Sequence, residues 1–143
     1  LKGLDIEGVG TGLAGIRMIG NGNLTVIDCL ISDFTAAGSG YGIDVQSTTG
    51  ARVMIKDSTL SGNNGGFLVR STTVPGYMVV SRTTIDRNIN YAIRVENPNF
   101  VFVSDSVVGG TLNAFQATAG GTITSFGNNT LRNAVPTNTT PLQ

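Results

Sequence analysis

Three apolar positions and one turn residue recur along the chain in a fixed cassette: apolar, any, apolar, any, turn residue, any, any, apolar. It reads Leu24, Val26, Asp28, Ile31, then Val53, Ile55, Asp57, Leu60, then Met78, Val80, Arg82, Ile85, then Val101, Val103, Asp105, Val108. It weakens to Thr124, Phe126, Asn128, Leu131, and a first copy starts part-way in with Leu1, Gly3 and Ile6. Between copies runs a second stretch with period-two alternation: Ile16 and Met18, Ile43 and Val45, Phe67 and Val69, Ile93 and Val95, Phe115 and Ala117. A small residue precedes each (Gly15, Gly42, Gly66, Ala92, Ala114). A repeat of this length with short strands and no helical period predicts a parallel β-solenoid, in which like positions stack into ladders. The small residue marks a sharp corner where a Cβ would crowd the next coil. A β-sandwich is the main competitor, but its hairpins would not reproduce one two-strand cassette five times. The Leu-x-x-Leu-x-Leu framework of leucine-rich repeats is absent.

Composition agrees. Gly, Thr, Ser and Asn make up 61 of 143 residues, while 40% of the chain is apolar and 13% charged, which suits an all-β domain with many turns and not a disordered chain. Nine basic and nine acidic residues cancel, so electrostatic binding to nucleic acid or an anionic membrane is not expected. The chain has no histidine, which removes histidine-based catalysis and His-ligated zinc. Its single cysteine, Cys29, excludes an internal disulfide and shares a column with Ser58, Thr83, Ser106 and Asn129, so it reads as a small ladder residue. No metal or cofactor is expected. No run of 18 apolar residues occurs, so no membrane-crossing segment is expected.

The stretch Ile6-Glu7-Gly8-Val9-Gly10-Thr11-Gly12-Leu13-Ala14-Gly15-Ile16-Arg17, followed by Leu24-Thr25-Val26-Ile27-Asp28, resembles the right-handed parallel β-helix repeat proteins of pectin-lyase-like fold. More narrowly it resembles bacterial exported β-helix proteins of unknown function, which carry a segment like Gly127-Asn128-Asn129 and a polar tail like Pro136 to Gln143. The resemblance implies an all-β, right-handed parallel β-helix of about five coils over residues 1–133, with a polar tail at 134–143. It also implies export, to the periplasm or beyond. The family's N-terminal signal, cysteine-bearing segment and first coils have no counterpart before Leu1, so the helix is expected to be incomplete at that end.

Three rows are candidates for function. The turn row Gly3, Asp28, Asp57, Arg82, Asp105, Asn128 invites comparison with the clustered aspartates of polygalacturonases, which share the fold. The signature motifs of those enzymes are missing, however. Gly, Asp and Asn interchange here as residues that tolerate left-handed backbone, so the row reads as a turn ladder. The outward face of the second strand carries Arg17, Asp44, Leu68, Arg94, Gln116 beside Ile19, Gln46, Arg70, Glu96, Thr118. Pairing of Arg17 with Asp44 and of Arg70 with Glu96 would make it a solvated, charge-zippered sheet. The same residues, with Tyr41 and Tyr91 as aromatic faces, are the candidate binding site for an acidic sugar polymer. The alternative is a polysaccharide lyase with an arginine base among Arg17, Arg70 and Arg94. On the first strand, Met54, Val79 and Phe102 with Tyr77 and Phe100 form a contiguous outward apolar patch. Either the polar tail covers it, or a second copy does. The reading is therefore a non-enzymatic binding or structural module, a homodimer through this patch or through the open N-terminal end, with polysaccharide as a candidate ligand. Gly8-Val9-Gly10-Thr11-Gly12 lacks the strand-to-helix setting of a dinucleotide site.

Overall fold

The structure, a computed structural model, describes residues 1–70, 72–111 and 113–134, and the backbone of 138–140. Among them there are strands and no helix, arranged in three parallel sheets. The first sheet stacks β3 (Gly22–Ile27), β6 (Ala51–Lys56), β9 (Tyr77–Ser81), β12 (Phe100–Ser104), β15 (Thr122–Phe126) and β17 (Asn138–Thr140). The second stacks β1 (Asp5–Glu7), β4 (Leu30–Ser32), β7 (Thr59–Ser61), β10 (Thr84–Asp86), β13 (Val107–Val108) and β16 (Thr130–Leu131). The third stacks β2 (Ala14–Met18), β5 (Tyr41–Val45), β8 (Gly65–Val69), β11 (Tyr91–Glu96) and β14 (Phe115–Thr118). Each strand pairs in parallel with its counterpart one coil away, so the chain winds as a solenoid of about five coils.

Alternation on each strand sends one side chain in two to the axis, and parallel register stacks like on like. Val53, Met78, Val101 and Ile123 form one buried row, Ile31, Leu60, Ile85 and Val108 a second, and Ile43, Phe67 and Ile93 a third. The corners are as tight as the sequence predicts. A Cβ on Gly66 would lie 2.6 Å from both Ala92 O and Ile85 Cγ2, and one on Gly42 would lie 2.7 Å from Gly66 O. Two stacked turn columns link the sheets. Gly3, Asp28, Asp57, Arg82 and Asp105 all adopt positive φ, which confirms the first as a turn ladder. The second (Asp33, Gly62, Arg87, Gly110 and Asn133) has the same conformation and was not anticipated.

Two expectations need correcting. In the last coil the inward residues of the first sheet are Ile123 and Ser125, paired with Val101 and Val103, and not Thr124 and Phe126. Leu131 still pairs with Val108, so the turn around Gly127 to Asn129 absorbs one extra residue, and Asn128 leaves the positive-φ column. The tail after Asn133 does not lie over the apolar patch where it is described: 138–140 pairs with β15 and extends the first sheet by one strand. Ala134 packs partly buried against the core, and 135–137 and 141–143 lie outside the described residues.

Internal hydrogen-bond ladders replace apolar rows at the turns. Ser58, Thr83 and Ser106 each donate their hydroxyl to the carbonyl two residues back. Ser58 and Ser106 also accept the N–H of Cys29 and Thr83 in the preceding coil. Cys29 is buried in this column and its thiol points at Ile27 O, 3.2 Å away, as a ladder residue should. A second ladder joins Phe34 N to Asn63 Oδ1, and Asn63 N and Nδ2 to Asn88 Oδ1, with each amide also capping a carbonyl of the preceding coil. Both asparagines are buried, and a buried amide is tolerated only with its bonds made. The Gly8–Gly12 loop folds over the Phe34 ring, where a Cβ at Gly8 or Gly12 would come within 2.7 Å of ring carbons.

Candidate functional site

The third sheet carries the predicted charged rows in register: Arg17 beside Asp44, Asp44 beside Leu68, Leu68 beside Arg94, Arg94 beside Gln116. The expected Arg17–Asp44 pair forms, but around a buried carboxylate and not as part of a solvated zipper. Leu68 is buried and Asp44 is 0% exposed, with the long side chains of Arg17, Gln46 and Arg70 closing over its carboxylate. Arg70 reaches back across the coil to grip Asp44 with two N–H groups, at 2.8 and 3.1 Å. Arg17 approaches the same carboxylate at 3.5 Å, and Gln46 Nε2 donates to it at 2.6 Å. The expected Arg70–Glu96 pair is therefore replaced: Glu96 is held by Arg94 on its own strand, at 3.0 Å. The choice follows from geometry. Residues two apart on a strand share a face, and Arg70 gains a bidentate grip on a desolvated partner. The bond to Asp44 holds the Arg70 guanidinium more firmly protonated than usual.

The two candidate tyrosines sit two coils apart, with Gly65 between them in register. Their rings nevertheless stack, with centroids 6.3 Å apart, because Gly65 leaves the intervening space open: a Cβ there would lie 2.6 Å from the Tyr91 ring. Arg70 caps Tyr41 at 5.4 Å from the ring centroid. The two rings are thus turned to each other, and Tyr41 also to Arg70. Tyr91 is 5% exposed, and its hydroxyl has no hydrogen-bond partner among the described residues. Burial, reinforced by the neighbouring Tyr41, raises its pKa far above the ordinary tyrosine value.

Beside this stack lies an open depression of about 350 Å³. Its strand residues are Tyr41, Tyr91, Arg94 and Gln116, and the turns leading into those strands add Gly38, Asn64, Asn90 and Asn113. Asn90 Nδ2 donates to Asn64 Oδ1 at 2.6 Å, which lines the two amides up along the solenoid axis. Arg94 Nε is buried here without a partner. The structure thus brings Tyr41, Tyr91 and Arg94 to one depression and gathers Arg17, Asp44 and Arg70 into a buried ion cluster alongside. The amides Asn64, Asn90 and Asn113 were missed as site residues. Their available signal was the spacing of Asn64 and Asn90, which equals that of Gly65 and Tyr91. Among the described residues, no group of three or more His, Cys, Asp or Glu side chains could hold a metal ion.

On the first sheet, Arg52, Tyr77 and Phe100 stack in one row and Met54, Val79 and Phe102 in the next, as the sequence predicts. Met54, Tyr77 and Val79 are 37%, 49% and 43% exposed, and the Tyr77 and Phe100 rings lie parallel at 5.4 Å. A shallow hollow of about 350 Å³ opens between Arg52, Met54, Tyr77 and Val79.

A solenoid of parallel strands with laddered interior and no helix among its described residues defines the class of fold. The family model described as right handed beta helix region matches residues 3–131, and the chain belongs to that family. The coils are accordingly right-handed. Neither the curated proteins nor the solved structures compared with the chain gave a match.

Proposed function

We propose that this chain is a non-enzymatic binding module that takes a carbohydrate chain along its third sheet and associates with a second copy through the apolar face of its first. The observation that carries the carbohydrate reading is the amide-lined depression, in which the Tyr91 hydroxyl and Arg94 Nε–H lack partners. Asn, Gln, Tyr and Arg side chains together offer the mixed donors and acceptors that sugar hydroxyls need. The lyase alternative asks an arginine to act as a base. The three candidate arginines are poorly suited, since Arg17 and Arg70 both pair with Asp44, which holds Arg70 protonated, and Arg94 is paired with Glu96.

Affinity electrophoresis through gels cast with plant or bacterial polysaccharides tests the reading. Retardation without release of unsaturated uronate ends, and loss of retardation in Asn90→Ala and Gln116→Ala, is the expected result. Ultraviolet-absorbing product formed by the wild type and abolished by Arg94→Ala would replace it with the lyase reading. Self-association is supported by the contiguity of Met54, Tyr77, Val79, Phe100 and Phe102 on adjacent coils, since contiguous exposed apolar surface marks an interface. Light scattering should give the mass of a dimer for the wild type and of a monomer for Val79→Asp. A wild-type monomer at high concentration would overturn it.

A further inference from the structure

We infer that the depression on the third sheet selects an uncharged saccharide and rejects an acidic one, an inference that rests on the carbohydrate reading above and narrows it. Three arginines on this face suggest a site for sugar carboxylates, but each is already committed. Arg17 and Arg70 converge on the buried Asp44, and Arg94 Nη2 is bound to Glu96 Oε1 at 3.0 Å. An arginine recognises a carboxylate best with two parallel N–H groups. Arg94 Nε–H has no partner at the depression, and Nη2, the other arm of that fork, holds Glu96. A second carboxylate there would meet Glu96 as a like charge, whereas one N–H suits a neutral oxygen acceptor.

The remaining groups point the same way. The side chains of Asn90, Asn113 and Gln116, with Asn64 holding Asn90 in place, carry donors and acceptors and no charge, as does the Tyr91 hydroxyl, which matches ligand hydroxyls that both donate and accept. The Tyr41 and Tyr91 rings are stacked on each other, with Tyr41 capped by Arg70 and Tyr91 buried, so they offer no platform for a sugar ring. Selection rests on hydrogen bonds, and the buried Tyr91 hydroxyl and Arg94 Nε–H discriminate through the bonds that an unsuited ligand would leave unmade.

The test is calorimetric titration of the wild type with neutral oligosaccharides of glucose, mannose, galactose, xylose and N-acetylglucosamine, and with oligogalacturonate. At least one neutral oligosaccharide should bind, and oligogalacturonate should bind at least about tenfold more weakly. Glu96→Gln should strengthen oligogalacturonate binding by about tenfold, because it removes the opposing charge from the Arg94 fork. Tyr91→Phe should weaken the neutral ligand about fivefold or more with an unchanged circular dichroism spectrum. Tighter binding of oligogalacturonate than of every neutral sugar by the wild type overturns the inference and leaves the carbohydrate reading standing. Glu96→Gln without effect on oligogalacturonate also overturns it. Binding of no saccharide at all overturns the carbohydrate reading, and the inference with it.

Discussion

Replacing Asp44 should expose how the third sheet is held together. Its carboxylate is wholly buried and accepts from Arg70 Nε and Nη2 and from Gln46 Nε2, with Arg17 at 3.5 Å. Removing one partner of a buried ion pair costs about 3–5 kcal/mol when the other is stranded away from water. Here the stranded partners are not fully buried. The Arg17 and Arg70 side chains keep 41% and 39% of their surface and can turn to solvent. The expected cost of Asp44→Ala is therefore lower, about 2 kcal/mol. Asp44→Asn keeps the shape and an acceptor for one Arg70 N–H, and should cost about 1 kcal/mol. Asp44→Leu would pack beside the buried Leu68 on the next strand, so it should cost less than the alanine variant. The assay is urea unfolding, with stabilities compared at constant slope. If Asp44→Ala shifts stability by less than about 0.5 kcal/mol, the cluster behaves as an ordinary exposed ion pair and the reasoning fails.

Three further outcomes follow from the same geometry. Gly65→Ala would set a Cβ 2.6 Å from the Tyr91 ring, so it should cost about 1–3 kcal/mol in chemical unfolding and open the tyrosine stack, read as a change in tyrosine fluorescence. Asn88→Ala deprives Asn63 N and Nδ2 and Leu60 O of their partner and should cost about 2–3 kcal/mol, while Thr111→Asn, one coil further, should extend the ladder from a hydroxyl that now lacks a partner and raise the unfolding midpoint. Tyr91 stays protonated in the fold well above the value of about 10 at which the unfolded chain ionises it. Its contribution to stability is thus fully present below that pH and is lost as pH rises beyond it. Spectrophotometric titration should show one tyrosine ionising only as the protein unfolds in alkali, a component that Tyr91→Phe removes.

The inward rows, the glycine corners and the first turn column were legible because each repeats one physical requirement at every coil. Alternation reports which side of a strand faces the axis, and the small residues at Gly15, Gly42 and Gly66 report a backbone that passes too close for a Cβ. The second turn column was not legible, since Asp33, Gly62, Arg87, Gly110 and Asn133 share a backbone conformation and little chemistry. The shift in the last coil was hidden because Thr124 and Phe126 fit the cassette as well as Ile123 and Ser125, and only pairing settles the register. At the site, alternation correctly sent Asp44 outward but could not report its burial. That burial comes from Arg70, whose reach lets it choose Asp44 and the Tyr41 ring over Glu96. The amides of the depression were obscure for a similar reason: they lie in turns, where asparagine is the ordinary residue and its side-chain direction is set by the neighbouring coil.

The most direct test of the account is nuclear magnetic resonance of the side-chain amides during titration with a neutral oligosaccharide retained by the wild type. Asn64, Asn90, Asn113 and Gln116 should shift together and saturably, while Asn23 on the first sheet stays in place. Shifts confined to the first sheet, or to backbone amides at either end of the solenoid with these four unmoved, would contradict it.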